Sequence, residues 1–349
     1  MPKFIPGLKL SELFYQEVVQ PILDQHFPNL VYSAGLIGYG SDVIGFDTPI
    51  STDHMWGPRL NLILQEEDYA TLQRRILDTM RQELPYEFKG YSVNFSDPDP
   101  NDGGIRHQEM ITSGLVDPLL GIFTIKSFFG PLLDWHPPQS IDVADWLTFS
   151  EHCLLTITAG GIFHDDLDIE DARQKLAYYP NDVWRFMMAS QWTKISQEEA
   201  FVGRCGDVGD ELGSQIIATR IVHSLMRLCF MMAKQYAPYS KWFGSAFARL
   251  PIAERLQPSL TETLQAKTWK QREAGLIKAY QIVAETHNDL QITEPVSPDI
   301  TDYYGRPYQV LFAGRFADAL WHSITDPQVK QIKGPIGSVT PAIRLDRRV

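Results

Sequence analysis

The sequence predicts an α/β domain, a mixed sheet with flanking helices, followed by an all-α helical domain. Over the first 130 or so residues, segments of helical spacing alternate with short apolar runs of strand period. After the run Trp135-His136-Pro137-Pro138, nearly every segment has helical spacing instead. A length of 349 residues suffices for about two domains. We therefore predict an α/β domain over residues 1–135 and a helical domain over residues 136–349.

The predicted N-terminal elements follow from their local patterns. Apolar residues at helical spacing predict one amphipathic helix near the start, and a second, polar helix follows the central strand. Alternating or continuous apolar runs predict the strands. In chain order these are a helix over 11–25, strands over 29–37 and 60–64, a helix over 67–84, and strands over 91–95 and 106–112.

The C-terminal part is predicted to be helical almost throughout. Its predicted helices cover residues 143–160, 168–178, 182–199, 210–236, 259–287 and 308–324. The most apolar stretch, residues 216–233, is interrupted by Arg220, His223 and Arg227. A membrane span needs about 20 mostly apolar residues, so we expect a buried helix here and no membrane association.

Charge and cysteine content narrow the class of protein. The formal net charge of −12 argues against a nucleic-acid partner, although a local basic groove stays open. Cys153, Cys205 and Cys229 are far apart and form no metal-binding pair, which favours reduced thiols and a cytoplasmic protein. The N-terminus lacks the long apolar core of a signal peptide.

A glycine-rich turn follows the first predicted strand. At Gly40 and Ser41 the absence of a bulky side chain lets backbone N–H groups approach an anion closely. The spacing of Gly38, Gly40 and Val43 does not fit a dinucleotide fingerprint, because Val43 stands where the third small residue belongs. A plain connecting turn is the alternative.

Acidic residues near this turn are candidates for holding a divalent cation. Asp53 leads into the strand over 60–64, and two carboxylates at positions i and i+2 of a strand would share a face. Met55 stands at the second of these positions, and a thioether is a poor ligand for a hard cation. Glu109 is the candidate for a further carboxylate, and Arg59 for a phosphate contact. The alternatives are a turn-capping Asp53, an exposed Glu109 and an Arg59 paired with an acid.

A second candidate region lies in the helical part. Glu199 and Arg204 follow a long predicted helix, and Gly203, Gly206 and Gly209 lie close by. Asp207 and Asp210 belong to the same segment. A loop rich in Gly, Asp and Arg between helices suits substrate binding. The alternative is a helix end at Gly203 or Gly206 with Asp210 capping the next helix. Lys241 would reach a phosphate, or lie exposed beside a tryptophan.

The acidic run over residues 164–171 resembles a metal cluster, but the second aspartate-rich helix that such sites require is missing. We therefore expect Asp166 or Asp168 to cap a helix whose first turn is acidic.

Several long strings carry a family resemblance. They are GYGSDVIGFDTPISTDHMWGPR, YPNDVW, QEEAFVGRCGDVGDELGS, YAPYSKWFGSAF, HNDL and IGSV. Together they resemble a bacterial family of unknown function placed in the polymerase-β-like nucleotidyltransferase superfamily. The layout is also similar to that of kanamycin-type nucleotidyltransferases, in which a helical domain lends a carboxylate base. The family's usual string looks like STDHDWGPR, so Met55 departs from it where an Asp would stand.

The resemblance implies Mg²⁺-dependent nucleotidyl transfer from a nucleoside triphosphate to a hydroxyl of a small molecule or protein. Gly40 and Ser41 match the phosphate turn, and Asp53 matches the first metal carboxylate. Glu109 falls where the third is expected, and the helical domain would hold the acceptor substrate, with Glu199 as the base.

Two other functions stay open. Met55 favours a catalytically impaired homologue that binds nucleotide as a sensor or partner subunit. A structural or interaction module without nucleotide is the third possibility. The sequence indicates no particular base, acceptor or oligomeric state.

Overall fold

In the computed structural model, residues 3–332, 334 and 335 are described. The helices are α1 (Gly7–Phe14), α2 (Gln20–His26), α3 (Glu66–Glu83), α4 (Ile125–Leu133), α5 (Val143–Thr148), α6 (Glu151–Thr158), α7 (Ile169–Lys175), α8 (Asn181–Glu198), α9 (Phe201–Asp207), α10 (Glu211–Met232), α11 (Ser240–Phe247), α12 (Ala253–Gln265), α13 (Trp269–Asp289), α14 (Gly314–Ser323) and α15 (Pro327–Lys330). The strands are β1 (Tyr32–Leu36), β2 (Arg59–Leu64), β3 (Glu87–Phe88), β4 (Tyr91–Ser92), β5 (Leu119–Thr124), β6 (Gly161–Asp165), β7 (Thr301–Tyr303) and β8 (Arg306–Val310).

The chain divides into two units. Among the described residues, the first unit contains those up to Ile141 together with Phe149–Ala177. The second contains Asp142–Thr148 and the residues from Tyr178 onward. The predicted boundary between residues 135 and 136 differs from this division, because the segment Phe149–Ala177 supplies β6 to the sheet of the first unit.

The first unit is built on a mixed sheet of strand order β5-β2-β1-β6. Strand β1 is antiparallel to both of its neighbours, whereas β2 and β5 are parallel. All five residues of β1 are buried, as expected for a central strand covered on both faces. The core of this unit includes Leu10, Phe14, Leu62 and Ile76, which come from α1, β2 and α3.

Local signals account for several helix starts. The first turn of α3 carries Glu66, Glu67 and Asp68, whose negative charge interacts favourably with the helix dipole. A reciprocal capping box between Thr124 and Ser127 begins α4. A five-residue π-helical segment, Tyr15–Val19, joins α1 to α2.

The second unit is a helical assembly with one added hairpin. Helix α8 packs against α10 and α14, and α13 packs against α9, α10 and α12. At its centre the fully buried ring of Trp192 stacks on Phe316 at 4.6 Å, with the His287 ring edge-on to Phe316. Strands β7 and β8 form the hairpin. Across the described residues, every helix is too short or too polar to span a bilayer.

The predicted fold class is confirmed: a mixed sheet with flanking helices comes first and a set of helices follows. Some elements differ. The predicted strand over 106–112 is wrong, since this segment makes only isolated bridges such as Phe95 with Gln108. The predicted helix over 308–324 is wrong at its start, where β8 precedes α14. The string IGSV, residues 336–339, lies outside the described residues.

Candidate functional site

The glycine-rich turn and the loop before β2 meet at one edge of the sheet. In the antiparallel pairing of β1 and β2, Gly35 stands opposite Asn61. The chain therefore leaves β1 at the edge where it enters β2. This register places the turn over residues 38–45 beside the loop over residues 49–58.

The backbone of the turn presents donors without protein acceptors. Gly38 and Gly40 have φ values of +98° and +130°, which L side chains rarely adopt. The N–H of Gly38 donates to Thr156 O at 2.9 Å. Within the described part of the chain, the next three N–H groups, those of Tyr39, Gly40 and Ser41, donate to no acceptor. Consecutive backbone donors of this kind form a concavity suited to an anion.

Arg59 lies beneath this turn in a buried ion pair. Its Nη2 donates to Asp42 Oδ1 at 2.7 Å and to Tyr39 O at 3.0 Å, while its Nε donates to Asp42 Oδ2 at 3.1 Å. Burial, the largest single effect, lowers the pKa of the guanidinium, but the charge and hydrogen bonds of Asp42 together with Tyr39 and Asp47 outweigh it, and the pKa is raised. Of the two predicted roles for Arg59, the structure shows pairing with an acid.

The ion pair also accounts for glycine at position 40. A Cβ on Gly40 would lie 2.2 Å from Asp42 Oδ1 and 2.3 Å from Arg59 Nη2. The turn therefore needs glycine for packing as well as for its φ value.

Asp53 lies in the loop before β2 and not in a strand. It ends a 3₁₀ helix, Pro49–Asp53, and β2 begins only at Arg59. Its side chain is 62% exposed and Oδ2 lies 2.9 Å from His54 Nδ1. Its backbone oxygen is 2.6 Å from His107 Nδ1. The predicted strand geometry, with positions 53 and 55 on one face, is therefore wrong.

Met55 connects the loop to the glycine turn. Its backbone has φ +42°, in the left-handed region, and its N–H donates to Arg106 O at 3.0 Å. The Tyr39 hydroxyl donates to its sulfur at 3.9 Å. The thioether thus contacts the glycine turn through Tyr39, at a position where an Asp would supply oxygen ligands.

Glu109 is exposed in the irregular segment that follows His107. Its N–H donates to Asn94 O at 3.0 Å, and its carbonyl oxygen accepts from Ser92 Oγ at 2.7 Å. Over the residues described, no group of three or more His, Cys, Asp or Glu side chains could hold a metal ion. With a thioether at position 55 as well, the donors present do not fit a pair of Mg²⁺ ions.

Glu199 is almost fully buried in the second unit. Its Oε2 accepts from the N–H of Leu311 and its Oε1 from the N–H of Ala313, each at 3.0 Å. Burial raises the pKa of this carboxyl to about 7, although these backbone donors favour the charged form. Both oxygens hold the turn between β8 and α14, and the catalytic role of Glu199 stays a prediction.

The predicted Gly-rich loop is a helix, α9, which is a correction to its sequence interpretation. Gly203 and Gly206 are buried within it, and a Cβ on Gly206 would lie 2.1 Å from the Trp269 ring. Asp210 caps α10 by accepting from Gly213 N at 2.8 Å, which confirms that part of the alternative, whereas no helix ends at Gly203 or Gly206, since both lie inside α9.

The other predicted binding residues of the second unit lie on its surface. Asp207 accepts from the Tyr308 hydroxyl at 3.0 Å. The exposed cations of Arg204 and Lys241 lie over the rings of Phe201 and Trp242, at 5.3 and 5.0 Å from the ring centroids. These are contacts with protein, and their predicted roles in ligand binding stay predictions.

The acidic run is structural in the first unit. Asp165 accepts from the N–H groups of Ile169 and Glu170, both at 2.9 Å, and from Ser33 Oγ at 2.6 Å. The prediction that Asp166 or Asp168 makes the capping bond is wrong, since Asp168 precedes α7 without a side-chain cap.

The structure brings Gly40, Ser41, Arg59 and Asp53 to one sheet edge in the first unit. Sequence reasoning missed three of their neighbours, namely Tyr39, Asp42 and His107. Asp42 directly follows the Gly-Ser pair, but nothing local to it indicates Arg59 as its partner 17 residues on. His107 is brought to Asp53 by a contact 54 residues apart, for which the sequence carries no signal.

Comparison with known proteins gives two likenesses. Residues 146–243 match the family described as "Domain of unknown function (DUF4037)", so the predicted resemblance to a family of unknown function is confirmed. A nucleotidyltransferase-like protein from Exiguobacterium sibiricum 255-15 has a similar solved structure. It is 11% identical, with 79% of this chain and 78% of that chain covered and a TM-score of 0.33. No curated protein matches this chain.

Proposed function

We propose that the first unit binds a nucleoside triphosphate, with its phosphate groups at the turn formed by Tyr39, Gly40 and Ser41. The observation that carries this proposal is the run of three N–H groups that, among the described residues, have no protein acceptor and lie on a partly exposed turn. Phosphate oxygens accept from such donors, and glycine permits their close approach. Arg59 neutralises the nearby Asp42 carboxylate, which would otherwise repel the ligand.

The side chains near the turn fit nucleotide binding better than they fit metal-dependent nucleotidyl transfer. Met55 supplies no oxygen ligand, and the described residues contain no cluster of three acidic or imidazole donors for a metal. A role as a sensor or partner subunit that responds to nucleotide follows from this donor set.

Nucleotidyl transfer to a hydroxyl, with Mg²⁺ as cofactor, is the second candidate. One observation favours it: the Asp53 carboxylate is exposed at the same sheet edge as the turn. A single carboxylate with magnesium bound by the nucleotide itself is the arrangement that this candidate requires.

Calorimetric titration of the full chain with ATP, CTP, GTP and UTP, with and without magnesium, tests binding. Ser41→Asp places a negative charge on the turn and should weaken binding by about tenfold or more. Ile50→Asp adds the same charge at a side chain that is 87% exposed on the neighbouring loop, and serves as the matched control. Absence of binding, or equal affinities for the two variants, would refute the assignment and favour a structural module.

Transfer is tested separately with nucleotide labelled at the α-phosphate and a cell extract as the source of acceptor. Labelling that disappears in Asp53→Ala supports the second candidate. Labelling by Met55→Asp but not by the natural chain supports the impaired binder. Labelling that survives Asp53→Ala contradicts transfer at this edge of the sheet.

A further inference from the structure

A group of basic side chains lies on two packed helices of the second unit. Helix α8 carries Lys194, and α10 carries Arg220, His223 and Arg227 at spacings of three and four residues, which places them along one side of that helix. The two helices pack against each other. An ion pair joins Arg220 of α10 to Glu198 of α8. Glu198 lies four residues after Lys194, so the pair brings the Lys194 side of α8 next to the basic side of α10.

The excess positive charge of this group lies at Lys194. Glu198 is the one carboxylate that acts on Lys194 among the described residues, and Arg220 already engages it. Lys194 is partly buried, and its ammonium group forms no hydrogen bond or ion pair within the described part of the chain. A partly buried ammonium without a partner is costly unless an anion accompanies it. This excess stands out in a chain whose net charge is −12.

The titration of these groups agrees with their mutual proximity. Burial lowers the pKa of Lys194, and the cations of Arg220 and Arg227 lower it further against the opposing effect of Glu198. Burial likewise lowers the pKa of His223 to about 4, with added repulsion from Arg227 and Lys194. The imidazole is therefore neutral at pH 7 and stacks on the Phe243 ring, with centroids 4.8 Å apart.

We propose that this face of α8 and α10 binds a phosphate group, with Lys194 as the principal donor. We call it the basic face; it consists of Lys194, Arg220, His223 and Arg227. A phosphate dianion supplies the negative charge that Lys194 lacks and accepts charge-assisted hydrogen bonds from its ammonium group, and the neighbouring guanidinium groups add favourable charge. The proposal does not depend on nucleotide binding by the first unit. Free inorganic phosphate and the phosphoryl group of a nucleotide share this chemistry.

Titration of the full chain with inorganic phosphate, followed by calorimetry and by the His223 C2 proton resonance, tests the proposal. All variants are made in the Ser41→Asp background, which removes the turn of the first unit from the measurement. Bound phosphate should raise the pKa of His223, because a nearby anion favours the imidazolium. Lys194→Gln should weaken binding about tenfold, whereas Lys194→Arg should retain it.

Two further variants sharpen the test. Glu198→Gln removes the competing carboxylate and should tighten phosphate binding by about threefold or more. Lys278→Gln is the matched control, because Lys278 is an exposed helical lysine paired with Glu262 at 2.8 Å. It should bind phosphate as the parent does.

Adenosine monophosphate distinguishes the two sources of phosphate. Adenosine monophosphate that binds as tightly as inorganic phosphate supports the basic face as a phosphate site. Tighter binding of adenosine monophosphate supports it too, and identifies a nucleotide as the ligand. No binding up to about 10 mM phosphate would overturn the proposal. So would equal affinities of Lys194→Gln and Lys278→Gln, or an unchanged His223 resonance on saturation.

Discussion

Replacement of Arg59 by methionine tests whether the turn depends on the buried ion pair. Methionine keeps most of the length and apolar character of the arginine stem and removes the guanidinium. Asp42, which is 2% exposed, would then lose both of its bonds to Arg59. Among the described residues, it would keep only the N–H of Val43, at 3.1 Å, as a hydrogen-bond donor. A carboxylate would be left buried and unpaired.

The expected cost follows from that orphaned charge. Removing one partner of a buried ion pair typically destabilises a protein by about 3–5 kcal/mol. Whole domains are stable by only about 5–15 kcal/mol, so the first unit would lose a large part of its stability. Urea unfolding followed by tryptophan fluorescence and by circular dichroism measures the change. Trp56 reports on this unit, since its indole N–H donates to Asp47 at 3.0 Å close to the turn.

A matched substitution separates burial from charge. Lys89→Met removes a cation of the same unit from an ion pair with Glu17 whose side chains are 39% and 44% exposed. That change should cost less than about 1 kcal/mol. The double variant Asp42→Leu with Arg59→Met should recover most of the loss, because no charge remains buried. Equal losses for Arg59→Met and Lys89→Met would refute the reasoning and return Arg59 to the set of phosphate ligands.

Three other outcomes are expected. Burial raises the pKa of Glu199 from 4.5 to about 7, so the folded state favours the protonated carboxyl. The contribution of Glu199 to stability is therefore full below pH 4.5 and falls by about 3 kcal/mol as the pH rises through 7. Glu199→Gln should flatten this part of a plot of urea midpoint against pH. Gly206→Ala should lower the melting temperature through a clash with Trp269 costing about 1–3 kcal/mol, whereas Gly244→Ala, whose Cβ meets nothing, should raise it. Met55→Asp should leave urea stability within about 0.5 kcal/mol, because Asp tolerates the left-handed backbone; a larger loss would contradict this.

Local sequence patterns were sufficient for the elements with strong periodicity. Helices α3, α8 and α10 and strands β1 and β2 lie within a few residues of their predicted positions. Their apolar residues repeat at a spacing that only one secondary structure can bury on one face.

Elements defined by distant partners were missed. Strand β6 is five residues long and becomes a strand by pairing with β1, more than 120 residues earlier in the chain. The hairpin of β7 and β8 turns at Tyr304 and Gly305, both with positive φ, and β8 ends within the segment over 308–324 that was predicted to be helical. Short strands of this kind carry too few residues for a periodic signal.

For the candidate site, the sequence located the residues better than it defined their environments. The glycine turn and Asp53 do lie at one edge of the sheet, but Asp53 is on a 3₁₀ helix. Glu199 was singled out by its neighbours in the chain, whereas its environment comes from the turn at Leu311 and Ala313, more than 100 residues away. Burial and partner choice depend on such long-range contacts, which one sequence does not reveal.

The structural and the ligand-binding interpretations of the glycine turn support each other. Gly40 leaves room for Asp42 and Arg59, and a larger residue would displace the pair. The pair in turn holds the turn from below, through the bond from Arg59 to the carbonyl of Tyr39. That bond holds the carbonyl of the Tyr39–Gly40 peptide, and within the described residues the N–H groups of Tyr39, Gly40 and Ser41 donate to no protein acceptor. Neutralisation of Asp42 removes the charge that would oppose an anion there. The proposed phosphate site therefore requires glycine at position 40, because glycine leaves room for the Asp42–Arg59 ion pair.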